Sequence, residues 1–266
     1  MLKDRIEPFQ LSLLATVAAL TTIAWYFTYA QVQSMGLLMS LGVPMSLGME
    51  GWAGWTSFAA FTGMWLVMMV AMMLPSSYPT LLLHRTVYRK RTPDARGGTF
   101  LFGLGYFLTW TASGSLFYAA YIMIGNYRHY AISADAIVLR AAGVALILAG
   151  LYQWTRLKQA CLKHCQSPLH FIAEQWRDGR AGALRMGIEH GIYCFGCCWG
   201  LMVILFVMGV MHLGWMAAIG AIILLEKVVS GRNWVPRMTG GIFILLGLAV
   251  AIFPELLTRL SVQVIL

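Results

Sequence analysis

Charged side chains are scarce in this sequence of 266 residues, and their scarcity sets its class. They make up 11% of the chain, less than half of the roughly 25% typical of a soluble domain. Hydrophobic residues account for 59%, and the mean hydropathy is +0.72. So few charged side chains cannot cover a surface that faces water. Intrinsic disorder is also excluded, because disordered chains are poor in hydrophobic residues and rich in charge. The chain is therefore predicted to be an integral membrane protein.

Several kinds of functional motif are also missing. The few polar residues supply no phosphate-binding loop, no Ser/His/Asp set and no pair of catalytic carboxylates. We therefore predict no catalytic residue and no organic cofactor, and a role other than that of an enzyme is favoured. Basic residues are not interleaved with aromatic ones, which argues against nucleic acid as a partner. The expected partners are the lipid bilayer and a metal chaperone or a subunit of a membrane complex.

Seven apolar stretches are long enough, or nearly so, to cross about 30 Å of hydrocarbon at about 20 residues each. They predict an all-α, polytopic membrane helix bundle that forms a single membrane domain over residues 1–266. The fifth and sixth stretches are separated by a tight hairpin at 211–214, and the sixth is short. The predicted spans lie near 10–32, 55–80, 99–124, 136–156, 187–210, 213–229 and 237–256.

Basic residues are distributed unevenly between the two sides of this bundle. With seven spans, 16 of the 19 Lys and Arg residues fall on the side of the amino terminus. Most of them lie in the segments 81–98 and 156–186. Because basic loops stay in the cytoplasm, the amino terminus is predicted inside and the carboxyl terminus outside. The net charge of +9 is thus a topological signal, and the expected location is a bacterial inner membrane.

All five cysteines lie between residues 161 and 198. Within the fifth span, one face of the helix carries four potential ligands at positions i, i+4, i+7 and i+8. A stripe of thiols and imidazole suits a soft or borderline ion such as Cu(I) or Zn(II). The alternative is that cysteine is simply a small residue that lets helices pack closely. The four residues are His190, Cys194, Cys197 and Cys198.

A second group of ligands follows the fourth span on the cytoplasmic side. Cys161, His164 and Cys165 lie within one helical turn of each other and are predicted to form a cytoplasmic exit or transfer site. Their thiols would release protons on binding a metal, so affinity is expected to rise with pH. Two acidic residues at the membrane boundary, Glu189 and Glu226, are candidates for a gate or proton relay. For Glu226, an interhelical ion pair is the alternative.

Methionines, whose thioethers are soft metal ligands, form a further stripe along the second span. Met68 and Met72 share one face, with Met69 and Met73 beside them. Thioethers bind Cu(I) without burying charge, although methionine is also a common packing residue. At 1.5 Å per residue, this stripe and that of the fifth span lie at about the same depth. If the two spans are neighbours, Met68 and Met72 complete the metal shell, and methionine favours copper over zinc.

Three segments resemble an uncharacterised family of bacterial proteins described as predicted metal-binding integral membrane proteins. They are Trp65–Pro75, Cys161–Pro168 and His190–Gly200, the last leading to Glu226. The resemblance implies a related fold and a bound metal, and it implies no reaction. The ligands it implies are Met68, Met69, Met72, Met73, Cys161, His164, Cys165, His190, Cys194, Cys197 and Cys198.

The leading hypothesis is a membrane protein that binds Cu(I) within the bundle and transports it or hands it over at the cytoplasmic face. One alternative is a fixed metal site in a subunit of a membrane oxidoreductase, which would need an open coordination position. The other is a membrane scaffold or assembly subunit without metal, whose cysteines serve packing alone.

Overall fold

The structure, a computed structural model, describes residues 8–40, 54–91, 97–130, 134–208, 212–229 and 234–253. These residues form nine α-helices and no strand, which confirms the all-α class. Helices occur at all seven predicted spans, and two more lie between the fourth and fifth. In chain order they are α1 (Pro8–Ser40), α2 (Gly54–Arg91), α3 (Gly98–Tyr130), α4 (Ala134–Tyr152), α5 (Arg156–Gln166), α6 (Pro168–Gln175), α7 (Gly179–Met208), α8 (Leu213–Val228) and α9 (Trp234–Ile252).

Five of these helices are long and apolar enough to cross a membrane. The candidate spans are Gln10–Ser34, Trp55–Arg91, Gly98–Ala120, Gly179–Met208 and Trp234–Ile252. The other two predicted spans are shorter helices: α4 has 19 residues, with its apolar part at Arg140–Tyr152, and α8 has 16. The architecture therefore fits a membrane helix bundle, while the count of seven crossings and their direction stay predictions.

Two segments are more helical than the sequence suggested. Helix α2 continues to Arg91, through Pro75 and Pro79, whereas the span was expected to end near residue 80. Proline removes a backbone donor from the helix. Here the Ser76 and Ser77 hydroxyls donate to the Met73 carbonyl at 2.9 and 3.0 Å, adding polar contacts to that turn. Likewise, the expected loop 156–186 contains α5, α6 and the first turns of α7.

Helix α9 has one exposed apolar face and one buried face. Its outer face carries Met238, Ile242 and Leu245, which are 60%, 59% and 69% exposed. Phe243 and Val250 on the opposite face are buried. A continuous exposed stripe of large apolar side chains would promote association in water. It suits contact with lipid.

The chain divides into two compact units. The first comprises residues 1–115 and 167–192 and contains α1, α2, α6, the part of α3 up to Ser115 and the start of α7. Inside it, the Trp65 indole donates a hydrogen bond to the Trp110 carbonyl at 3.0 Å, which joins α2 to α3. The second comprises residues 116–166 and 193–266 and contains the rest of α3, α4, α5, the rest of α7, α8 and α9.

Glycine allows α4 and α9 to approach closely in the second unit. A Cβ atom placed on Gly240 would lie 2.7 Å from the carbonyl oxygen of Gly150. One placed on Gly247 would lie 2.7 Å from the carbonyl oxygen of Gly143. Backbone-to-backbone contact of this kind is how small residues drive helix association in a membrane.

The substitution Gly240→Ala should therefore loosen this pair of helices. The added methyl group meets backbone that cannot rotate away, so we expect a loss of about 1–3 kcal/mol of unfolding free energy. Gly241→Ala is a matched control, since a Cβ at Gly241 has nothing within 4 Å. Thermal unfolding of the two detergent-purified variants measures the difference. Equal melting temperatures would contradict this close packing.

Candidate metal centre

Four of the five cysteines are buried together in the second unit. Cys165 comes from α5, and Cys194, Cys197 and Cys198 come from α7. The Sγ atoms of Cys165 and Cys197 are 3.7 Å apart, and those of Cys197 and Cys198 are 3.3 Å apart. All five cysteines of the chain are free thiols. We call Cys165, Cys194, Cys197 and Cys198 the sulfur cluster.

The spacing within the sulfur cluster suits a metal ion. The Sγ atoms of Cys165, Cys194 and Cys197 all lie within 4.8 Å of one another. With metal–sulfur bonds of about 2.3 Å, two sulfurs on opposite sides of an ion are about 4.6 Å apart, and trigonal ones about 4.0 Å. Both arrangements are compatible with these separations. The exposed fractions of Cys165, Cys194 and Cys197 are 6%, 0% and 1%, so water would not compete with these sulfurs for the ion.

Helical periodicity explains three of the four positions. Residues three and four apart lie on the same side of a helix, which brings Cys194, Cys197 and Cys198 to one surface of α7. The Cys197 thiol also donates to the Cys194 carbonyl at 3.1 Å. Cys165 reaches this surface from the last turn of α5. Cys165, predicted to belong to a separate exit site with Cys161 and His164, lies instead among the cysteines of α7.

Cys161 and His164 lie beside the cluster and are partly exposed. A Cβ placed on Gly196 of α7 would lie 2.7 Å from the Cys161 Sγ atom, so the absence of a side chain there makes room for this thiol. The His164 ring stacks on Tyr193, with centroids 4.2 Å apart. These two partly exposed residues lie at the edge of the sulfur cluster, and their role as a transfer site stays a prediction.

The two thiols of α5 hold their protons at neutral pH. Burial raises the pKa of the Cys161 thiol. A hydrogen bond with Cys194, together with burial, raises the pKa of Cys165 well above its usual value. A metal bound by either sulfur must displace that proton, so binding is favoured as pH rises.

Three charged side chains are buried near the cluster. The Lys227 Nζ atom lies 3.1 Å from the Cys194 Sγ atom. The neighbouring Glu226 forms an ion pair with Lys158 of α5 at 2.7 Å. Lys158 also donates to the Gln153 side chain. Lys158 had been counted among the basic residues of a cytoplasmic loop, and the structure buries it instead.

Glu189 and His190 belong to the first unit. Glu189 accepts hydrogen bonds from Arg177 at 3.3 Å and Arg185 at 3.2 Å. The His190 ring is buried against Phe171, with centroids 5.0 Å apart, and it also lies near the rings of Tyr106 and Phe102. Both acidic residues therefore form ion pairs: Glu189 with Arg177 and Arg185, and Glu226 with Lys158. A role for His190 as a metal ligand stays a prediction.

The methionine stripe also lies in the first unit. All four of its residues are buried in α2, with exposed fractions of 3% or less. They share a helix face as the spacing predicted. Their role in completing a metal shell stays a prediction. The four residues are Met68, Met69, Met72 and Met73.

The contact between Lys227 and Cys194 is not among the predictions from the sequence. The two residues are 33 positions apart, and spacing along one helix cannot relate them. The available signal was a lysine at the end of an apolar helix, where a buried charge requires a partner. Tyr152 was also missed: its hydroxyl donates to the Gly196 carbonyl, next to Cys197.

Together these features define a class: a helical bundle with membrane-length helices whose buried cysteine cluster fits metal binding. A family model described as PpoB2, copper chaperone, matches residues 62–250. The chain belongs to this family. The match covers all the cluster cysteines and the methionine stripe, and it supports the metal-related part of the resemblance seen in the sequence. No curated protein and no solved structure matches the chain.

Proposed function

We propose that this protein is a membrane-embedded copper chaperone that carries Cu(I) in the sulfur cluster. The observation that carries the proposal is the buried set of Cys165, Cys194 and Cys197 in a member of a copper-chaperone family. Thiolates are the ligands that Cu(I) prefers. Copper is here the cargo, and zinc is the alternative ion. The setting we propose is a bacterial inner membrane.

Cys161 and His164 would be the place of transfer, at the cytoplasmic face in the predicted topology. Copper would pass between the cluster and an acceptor by ligand exchange. A new Cu–S bond forms before an old one breaks, Cu(I) stays Cu(I), and the proton of the incoming thiol passes to the outgoing sulfur. The acceptor would be a soluble metal chaperone or a subunit of a copper-containing membrane complex.

Elemental analysis of the detergent-purified protein tests the proposal. The native chain, loaded anaerobically with Cu(I), should retain copper through dialysis, and a variant with all five cysteines changed to serine should not. Zinc in place of copper after exposure to both ions would keep the site and overturn the choice of metal. Equal copper in both proteins would overturn the site.

Gly196→Ala should slow copper transfer and leave the cluster intact. The added Cβ would force the Cys161 Sγ atom away from α7, since the two would otherwise be 2.7 Å apart. We expect the rate of copper loss to a chromophoric chelator to fall by about tenfold, equivalent to about 1.4 kcal/mol in the barrier. Gly241→Ala provides the control, since it adds the same methyl group away from any contact. An unchanged rate would contradict a transfer role for Cys161.

A further inference from the structure

The sulfur cluster contains one thiol more than a single metal ion can use. The Sγ atoms of Cys165, Cys194 and Cys197 all lie within 4.8 Å of one another. Among the described residues, this mutually close set does not include Cys198. A tetrahedral ion with metal–sulfur bonds of about 2.3 Å holds its four sulfurs about 3.8 Å apart in every pair. One ion therefore accounts for three of the four thiols.

Cys198 nevertheless belongs to the same buried cluster. Its Sγ atom lies 3.3 Å from that of Cys197, and its thiol also has a hydrogen bond with Cys194. The side chain is buried, so its contacts are with protein and not with solvent. These three cysteines lie three and four residues apart on one face of α7, which brings their thiols together without help from α5.

The cluster thus consists of two sets of three sulfurs that share one pair. The shared pair is Cys194 and Cys197. Cys165 of α5 completes the first set, with its Sγ atom 3.7 Å from that of Cys197, and Cys198 of α7 completes the second. Sulfurs around one trigonal ion are about 4.0 Å apart, so small side-chain rotations would fit each set to an ion. A thiolate sulfur has several lone pairs, and a shared sulfur can therefore bind both ions.

We propose that the sulfur cluster binds two Cu(I) ions at once, bridged by the thiolates of Cys194 and Cys197. This inference rests on the proposed function and concerns the same site. Cys165 completes the coordination of one ion, and Cys198 completes that of the other. Each ion then has three sulfur ligands. That set suits Cu(I), which prefers soft thiolates, and leaves Zn(II) one ligand short of its usual four.

A positive side chain contacts one of the two bridging sulfurs. The Lys227 Nζ atom lies 3.1 Å from the Cys194 Sγ atom. Thiolates that bind two monovalent ions bring negative charge into a buried site, and a neighbouring cation lowers the cost of burying it. The position of Lys227 therefore suits a bridging role for Cys194.

The number of copper ions bound per chain tests the proposal. The native protein is loaded with Cu(I) anaerobically in detergent, freed of excess metal by gel filtration and analysed for copper. It should retain about two ions per chain, one for each set of three thiolates. Cys198→Ser removes one set and leaves the other, so it should retain about one ion, a twofold loss. Cys165→Ser should show the same twofold loss, because the three thiols of α7 remain.

Cys161→Ser shows where the second ion lies. Cys161 is the fifth thiol and lies beside the sulfur cluster, outside both sets, so this variant should still bind about two ions. If Cys161→Ser loses one ion and Cys198→Ser loses none, the second ion lies at the edge of the cluster, and the bridged pair is overturned.

X-ray absorption of the copper-loaded native protein gives a test without any variant. It should show about three sulfur ligands per copper and a copper neighbour at about 3 Å, since two ions that share two sulfurs through bonds of about 2.3 Å must lie close together. This measurement decides the proposal even if Cys198→Ser does not fold. A single copper per native chain, or the absence of a copper neighbour, overturns the bridged pair.

Failure of this inference differs from failure of the proposed function. If the native chain binds one copper and the variant without cysteines binds none, the bridged pair is wrong and the copper site stands. If the variant without cysteines binds as much copper as the native chain, the proposed function itself fails.

Discussion

Replacing both Cys194 and Cys197 by serine should abolish copper binding. The two sulfurs lie within 4.8 Å of each other and of Cys165, so their loss leaves only Cys165 and Cys198 of the sulfur cluster. For comparison, structural Zn(II) sites in zinc-finger peptides contribute about 10–16 kcal/mol over their whole ligand set. Losing two ligands should therefore weaken Cu(I) binding by at least about a thousandfold, or about 4 kcal/mol. Anaerobic chelator competition followed by elemental analysis measures the loss.

Cys161→Ser is the matched control for this experiment. It removes a thiol beside the sulfur cluster and leaves all four sulfurs of the cluster in place, so the amount of bound copper should not change. A double variant that binds copper as tightly as the native protein would show that the sulfur cluster is not the copper site. If Cys161→Ser alone loses its copper, the copper site would include Cys161, at the partly exposed edge of the sulfur cluster.

Glu226→Leu should be the most destabilising single substitution near the cluster. It leaves Lys158 buried without its carboxylate, where the two had been 2.7 Å apart and 1% exposed. Removing one partner of a buried ion pair typically costs about 3–5 kcal/mol. We expect a correspondingly lower melting temperature, measured by circular dichroism in detergent.

The double substitution Lys158→Met/Glu226→Leu should recover most of this loss, because it replaces both charges by apolar groups of similar volume. Glu189→Gln is the control, because it removes an ion pair whose partners are exposed to solvent. Its partners Arg177 and Arg185 are 40% and 65% exposed, and such pairs contribute at most about 1 kcal/mol. A full loss of stability in the double variant would mean that packing, and not charge, accounts for the effect of Glu226→Leu.

Much of the fold follows from local properties of the sequence. A run of about 20 apolar residues needs internal backbone hydrogen bonds in lipid, so each run had to be a helix. Helix ends were harder to predict. Helices α5 and α6 lie in a polar segment that was expected to be a loop, and α2 continues to Arg91, past the end expected near residue 80.

The sequence predicted only part of the candidate site. The sequence by itself determined the stripe of Cys194, Cys197 and Cys198, because the period of a helix decides which of its residues share a face. Only the tertiary structure added Cys165 and Lys227, which lie 32 residues from Cys197 and 33 from Cys194 along the chain. Which helix faces meet depends on close packing between backbones, as at Gly150 and Gly240, and no local period encodes that choice.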